Sequence, residues 1–517
     1  MSGTSPVAVV LDPELRVAAH ARNENAWWLY STEVLDHLRV PYDVIRPDEA
    51  DARLAAGGTV LVHAAEGRIV GPAGERAFPA DLWERIVTIQ QGTPVHEDGP
   101  PAPDGSCPVD DGILKCDDGL ALSYDEDRIV PPGEPALKGA FSHTYPPPAA
   151  APMFHQAKAD RLRLDFLGLL FDAAEAAGIA VPWLHYWPAG IPAVAHMSHD
   201  SDGNDSDAAL SALEVFDQAG VHVTWCHCFP GGYRPEVVAE IAARGHEQAL
   251  HYNAMGDADI ASWGWPQLRA QYAWAQAMTG REDIVSNKNH YTRWEGWDDF
   301  FLWCERIGIR IDESRGPSKQ GNVGFPFGSC HLSFPIAGVG EHNRRIDVLE
   351  LPLHTQDLAW AGHTAIRDVI LTEALEVHGV AHFLFHAAHL HTKPDVAQAC
   401  RDVAAEARRL GMQWWTAEQL NDWERARRGV RVAVEPGAGS GELRVEVTAT
   451  TAVKGAGVLL AVPGLGPDDD AGATPRVLTG DATCAVVTRH GRRLLELAAD
   501  LPAGTSVFTV TTAGRPG

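Results

Sequence analysis

Between residues 191 and 253 short apolar runs alternate with helical repeats. Ile191, Val194, Ala195 and Met197 form a run that stops at His199, Asp200, Asp202 and Asp205, as a buried strand does where it opens into a polar site. Asp205, Ser206 and Asp207 are candidate caps for a helix whose Leu210, Leu213 and Phe216 share one face, with Gly220 as its stop. A second strand spans Val221 to Phe229. Pro235 then opens a helix with Val237, Val238 and Ile241 inward, Gly245 closes it, and Gln248 to His251 makes a third short strand. The order is β-α-β-α-β. In a parallel α/β barrel or open sheet the carboxyl ends of the strands share one rim, so Asp200 and Asp202 are expected to face the same cavity as His251.

The flanking segments carry other periods. Val7 to Leu11, Tyr42 to Ile45 and Gly58 to His63 read as strands, with a helical stretch through Trp27, Trp28, Tyr30, Val34, Leu35 and Leu38 between the first two. Prolines, glycines and acids dominate residues 92–152, which predicts loops and a connector. A helix from Leu162 to Ala177 leads through Trp183 and Tyr186-Trp187-Pro188 towards the strand that ends at Asp200. Further on, Trp297 to Ile307 and Asp395 to Leu410 read as helices, and Gly308 to Asp312, Val348 to His354, His382 to His386 and Gln413 to Trp415 as strands. The glycine-rich stretch from Gly316 to Gly340 is long enough to be a binding loop. From about Gly429 alternating valines and threonines, broken by Gly, Pro and Asp turns, predict a small all-β sandwich.

Composition narrows the partners. At 517 residues the chain exceeds one ordinary core, and about 150 residues per domain gives two to four domains. Its net charge of −27 argues against nucleic acid or anionic lipid, both of which need a basic face. No apolar run approaches the roughly 18 residues of a membrane span, and the start Met1-Ser-Gly-Thr-Ser-Pro-Val lacks a leader pattern, so a cytoplasmic protein with no membrane partner is expected. The eight cysteines follow no disulfide or zinc-knuckle spacing. Cys226 and Cys228 alternate onto one face of their strand, either as two packed thiols or in contact with a metal.

His199-Asp200-Ser-Asp202-Gly and Gly245-His-Glu-Gln-Ala-Leu-His251 together resemble the first two motifs of the polysaccharide deacetylase family, carbohydrate esterase family four, and Leu384-Phe385-His386 resembles its last. The resemblance implies a distorted (β/α) barrel and a metal-dependent hydrolase. It makes Asp200 the catalytic base, Asp202 and His251 two of three metal ligands, His386 the general acid, and zinc the leading metal. Arg293, within Asn287-Lys-Asn-His-Tyr-Thr-Arg293, matches the arginine that pairs with the base in that family, although the proline-aromatic-glycine that follows it there is absent; a surface arginine paired with Glu295 is the other reading. The family's third ligand is a histidine four residues after the first, and that position is Met255. A thioether is a poor zinc ligand. His290 is the expected substitute, with Asn253, Asp257 or water as alternatives. His246 reads as a packed or capping residue, and His389 and His391 as solvated loop histidines.

The N-terminal α/β segment loosely resembles amidotransferase-like, flavodoxin-like domains. It has no cysteine before Cys107 to act as their nucleophile, so it is expected to be catalytically silent. The expected domains are therefore 1–150, the barrel at 151–428 and the β-sandwich at 429–517. The expected activity is removal of an acyl group from an N-acetylated sugar, or cleavage of a small-molecule C–N bond, with a small-molecule or carbohydrate substrate. The alternative is a non-catalytic carbohydrate-binding or scaffolding protein with a degenerate barrel, in which Trp263, Trp265, Trp294 and Trp297 stack on sugar rings.

Overall fold

The computed structural model describes residues 5–22, 28, 30–79, 82, 113–115, 121–123, 153–154, 156–254, 263–294, 298–317, 324–335, 337, 344–465 and 475–511. The expected connector at 92–152 lies almost wholly outside the described residues, as do Met255, Asp257, Glu295 and Trp297. Contacts divide the chain into two compact units, one of Met1–Val87, Arg161–Gly190 and Trp423–Gly517, the other of Thr88–Asp160 and Ile191–Asp422.

The second unit is built on a parallel sheet. Its strands are β1 (Val194–Asp200), β2 (Thr224–Cys228), β3 (Glu247–Tyr252), β4 (Ser286–Asn289), β5 (Ile311–Asp312), β6 (Leu349–Glu350), β7 (Thr355–Gln356), β8 (Val380–His386) and β9 (Gln413–Trp414). The order is β6-β5-β4-β3-β2-β1-β8-β7, and β9 also pairs with β1. The two ends of that path, β6 and β7, belong to one continuous segment, residues 349–356. Leu351 N–H donates to Asp312 O at 2.8 Å on one side, and Asp357 N–H to Leu384 O at 2.8 Å on the other, so the sheet returns on itself as a barrel.

The helices form where the sequence signals them. In Ser206–Ala219 the Asp205 carboxylate accepts from the N–H groups of Asp207 and Ala208, and Gly220 closes it at φ 64°, a left-handed conformation that costs glycine least. Leu213 and Phe216 are buried as expected. Leu210 is 38% exposed, and the small Ala208, Ala209 and Ala212 supply the buried face instead. Leu250 and Tyr252 of β3 pack with Leu268, Trp294, Phe300 and Phe301 into one apolar cluster. The expected helix at 395–410 is Pro394–Arg409, preceded by a short helix Ala387–Thr392 that takes in His389 and His391, which had read as loop residues.

The interior of the barrel is polar. Lys288 Nζ on β4 donates to Ser198 Oγ on β1 across two intervening strands, at 2.6 Å. Glu313 Oε2, just past β5, lies 2.9 Å from His196 Nε2 on β1 and 3.3 Å from His382 Nε2 on β8. These side chains are fully buried. Paired in this way they avoid the cost of an isolated buried charge.

In the first unit a five-stranded sheet has the order Tyr42–Ile45, Val7–Val10, Val60–His63, Arg68–Gly71, Gly74–Ala77, its first three strands parallel. Two four-stranded antiparallel sheets share one apolar cluster containing Leu184, Val432, Val445, Val458, Leu495 and Phe508. One of them includes Val181–Pro188, which pairs antiparallel with Val453–Ala461. Residues 161–190 therefore lie with the first unit, whereas the sequence reading placed them in the barrel segment 151–428. Every position from Val181 to Trp187 is buried, a pattern that reads equally as a barrel strand, and only the pairing distinguishes the two.

Candidate metal centre and its acid

The carboxyl ends of β1, β2, β3 and β4 bring Asp202, Cys228, His251 and His290 into one group, each offering a ligand atom within 4.8 Å of the others. His251 Nε2 lies 3.2 Å from Asp202 Oδ1 and 3.5 Å from Asp200 Oδ2, and His290 Nε2 lies 3.4 Å from Asp202 Oδ1. Both imidazoles are turned the same way by bonds at the opposite nitrogen. His251 Nδ1 meets Lys288 O at 2.9 Å, and His290 Nδ1 meets Asn253 Oδ1 at 3.0 Å. Such contacts fix the tautomer that presents Nε2 as a lone pair. Asn253 is itself held by Phe229 O at 2.6 Å.

The strand ends are tied together by Asn204, whose amide donates to Cys228 O at 2.8 Å and Pro230 O at 3.0 Å from a backbone φ of 52°. Ser201 Oγ accepts from Cys228 N–H at 2.8 Å. The loop carrying Asp202 is thus clamped to the end of β2.

On the other side of the aspartates stands His386, at the end of β8. Its Nε2 is 3.8 Å from Asp200 Oδ2 and 3.7 Å from Asp202 Oδ2. Its Nδ1 is 2.6 Å from Asp357 Oδ2, and the same oxygen takes His389 Nδ1 at 2.8 Å. Burial disfavours a charge on His386, but Asp357 first, then Asp202 and Asp200, outweigh it and push its pKa up to about 10. Burial acts against the Asp357 carboxylate as well, and the two imidazoles overcome it, holding its pKa far below the usual range. For His251 burial is likewise outweighed, by Asp200 and then Asp202, and its pKa is raised. Asp202 is held well below the usual carboxylate value by His251 and His290, against its burial.

The residues fit a divalent cation. Asp200 Oδ1, Asp202 Oδ1 and His251 Nε2 are buried atoms without a hydrogen-bond partner of ordinary geometry, a state that is costly unless something else satisfies them. Carboxylate and imidazole are suitable donors for zinc or cobalt.

The sequence-expected residues fall as follows. Asp200, Asp202, His251, His290 and His386 converge on one rim. Arg293 does not join them: it is fully buried, its Nη1 donates to Ala254 O at 2.6 Å, and its guanidinium lies 5.5 Å from the centroid of the Trp263 ring. Among the described residues the cationic side chains within 4 Å of the Asp200 carboxylate are His251 and His386. His389 is drawn onto Asp357 as a partner. Trp294 packs in the apolar cluster and is only 2% exposed, so it presents no ring for stacking, and Trp263 packs against that cluster partly buried.

Reading the sequence missed Asp357 as a member of this site, and weighed Asn253 and Cys228 only as alternatives for contact with the metal. Asp357 follows Thr355-Gln356, and the alternation on the strand before it placed the strand end three residues early, at His354. Residues 286 to 290, Ser-Asn-Lys-Asn-His, are polar at every position, so no alternation in the sequence marks which of them face the interior.

No family model matches the chain, and no curated protein matches it. Several solved structures are similar. A protein of Mycobacterium smegmatis described as a polysaccharide deacetylase shares 16% identity over 47% of this chain and 93% of its own, at a TM-score of 0.36. A peptidoglycan deacetylase of Bacillus subtilis shares 12% over 46% and 94%, at 0.28. A family 4 carbohydrate esterase of Bacillus anthracis shares 10% over 44% and 82%, at 0.27.

Proposed function

We propose that the chain is a polysaccharide-deacetylase-like hydrolase that removes an acetyl or similar acyl group from the nitrogen of a sugar or other small molecule, using a divalent metal. One observation carries the reading: the Asp202 carboxylate and the His251 and His290 imidazoles bring ligand atoms within 4.8 Å of one another, with Asp200 beside His251 and a carboxylate-held histidine 3.7 Å from Asp202. A divalent ion held by Asp202, His251 and His290 would supply Lewis acidity to the acyl carbonyl and to the attacking water.

The chain's own residues do the rest. Asp200 takes the proton from water as the new C–O bond forms. His386 carries a proton on Nε2 and delivers it to the leaving nitrogen as the C–N bond breaks, so the products are a carboxylate and an amine. Asp357 holds the His386 ring with Nε2 towards the aspartates and supports its positive charge before transfer. An acid and a base about 4 Å apart, at paired positions on the neighbouring strands β1 and β8, can reach the two ends of one acyl transfer.

The test strips the purified protein of metal, reloads it with zinc or cobalt and measures acetate released from a panel of N-acetylated amino sugars. Release that depends on added metal and disappears in His386→Ala supports the reading; no release from any member overturns it. Of the tryptophans on which the binding-protein alternative drew, Trp294 is buried, Trp263 and Trp265 are partly buried, and Trp297 lies outside the described residues. No helix among the described residues is long and apolar enough to cross a membrane.

A further inference from the structure

Cys228 was not among the residues that the motifs assigned to the metal, yet the fold delivers it there. It ends β2 between the strands that carry Asp202 and His251, is 4% exposed, and is one of the four residues whose ligand atoms lie within 4.8 Å of one another. We propose that Cys228 is a fourth protein ligand, so that the site is an Asp-Cys-His-His centre for a thiophilic divalent cation such as zinc or cobalt and not for magnesium, with the water of the proposed reaction entering as a fifth ligand. The proposal rests on the metal-dependent reading above, but concerns which atoms hold the ion.

Three observations support it. First, the spacings suit one small ion: ligands about 2.0–2.3 Å from a tetrahedral centre stand about 3.3–3.8 Å apart, and Asp202 to His251 and Asp202 to His290 are 3.2 and 3.4 Å. Second, His251 Nε2, on a fully buried ring aimed into the same point, has no hydrogen-bond partner of ordinary geometry. Third, the thiol is positioned and not merely nearby. Its backbone N–H is fixed by Ser201 Oγ at 2.8 Å, its carbonyl by Asn204 at 2.8 Å, and its Sγ lies 3.6 Å from Phe229 O, the carbonyl that also holds the Asn253 amide behind His290.

A fourth donor also answers a problem in the sequence. A ligand position of the resembled family is filled here by Met255, and His290 with Cys228 offers two donors where one histidine is missing. Because the thiolate is the ligand form, loading the site expels the Cys228 proton to solvent. Thiolate sulfur favours borderline and soft cations over hard ones.

The experiment uses the full chain, stripped of metal and titrated with one equivalent of cobalt(II). A thiolate ligand gives an intense near-ultraviolet sulfur-to-cobalt charge-transfer band beside the visible ligand-field bands. The band is expected in the wild type and in Cys226→Ser, and absent in Cys228→Ser, whose ligand-field bands persist and whose zinc affinity falls at least tenfold. X-ray absorption of the wild-type zinc protein needs no variant, and should show one sulfur at about 2.3 Å among nitrogen and oxygen neighbours. Cobalt bound with ligand-field bands but no charge-transfer band, or a zinc shell without sulfur, overturns the Cys228 assignment and leaves the Asp-His-His centre standing. Failure of the wild type to bind either ion overturns both.

Discussion

His386 and Asp357 are joined at two points: the ring Nδ1 meets one carboxylate oxygen at 2.6 Å, and the backbone N–H of His386 donates to the other at 2.9 Å. The pair fixes both the ring and the strand end that bears it. Asp357→Asn keeps the shape and removes the charge. It is expected to lower kcat by on the order of a hundredfold or more, with bound metal and unfolding midpoint little changed. Steady-state kinetics beside metal analysis checks this, and an unchanged kcat would free His386 from its assigned role.

Asp200 and Asp202 are two residues apart and face the same rings, yet their surroundings differ. Asp202 Oδ1 lies against both imidazoles, whereas Asp200 meets His251 and His386. Asp202→Ala is therefore expected to lose zinc, and Asp200→Asn to keep it while losing turnover. Metal content measured after gel filtration separates them. The opposite pattern would exchange the two roles.

Those two aspartates were legible because they break an apolar strand, and the helices after them because caps and glycine stops mark their ends. His290 was legible for a different reason, as the nearest spare donor once Met255 had displaced a ligand. Other members of the site depend on pairing that no local period records. Asp357 matters only because the segment carrying β6 and β7 crosses from β5 to β8, and Arg293 turned away because Ala254 O and the Trp263 ring receive it. The strand Val181–Pro188 shows the same limit on a larger scale. Its burial is evident in its residues, while its partner, 265 positions or more along the chain, is fixed by tertiary packing.

Trp360 stands beside His389, which shares the Asp357 carboxylate with His386. It is 41% exposed, its ring centroid is 3.9 Å from that of His389, and Lys393 Nζ lies 5.3 Å from it. A large exposed ring held rigidly at a catalytic rim can contact a substrate's apolar face at little entropic cost. Trp360→Ala is expected to raise KM several-fold for N-acetylated sugars and to change kcat less. Equal loss in both constants would indicate that Trp360 acts through His389 on the acid instead.

The last expectation concerns acid. His227 is fully buried, its Nε2 3.2 Å from Gln248 Oε1, and burial lowers its pKa to about 4 against a weaker opposing effect of that bond. In the unfolded chain the ring titrates near 6.5. Above that pH it is neutral in both states and adds no pH dependence. Between about 6.5 and about 4 the unfolded state gains a proton that the folded state does not, so stability falls as the pH falls, by up to about 1.4 kcal/mol per unit and about 3 kcal/mol in all. His199 behaves in the same sense, lowered to about 3 chiefly by burial, while Asp312, raised to about 7 by burial, opposes them. A difference between variants removes that background. Urea unfolding of the wild type and His227→Gln at pH 7.5, 6.0 and 5.0 should show the variant losing less stability on acidification, by about 1.4 kcal/mol per unit below 6.5. Parallel curves for the two proteins would mean that the buried ring accepts its proton without unfolding, and that water reaches it through the polar face shared with Gln248.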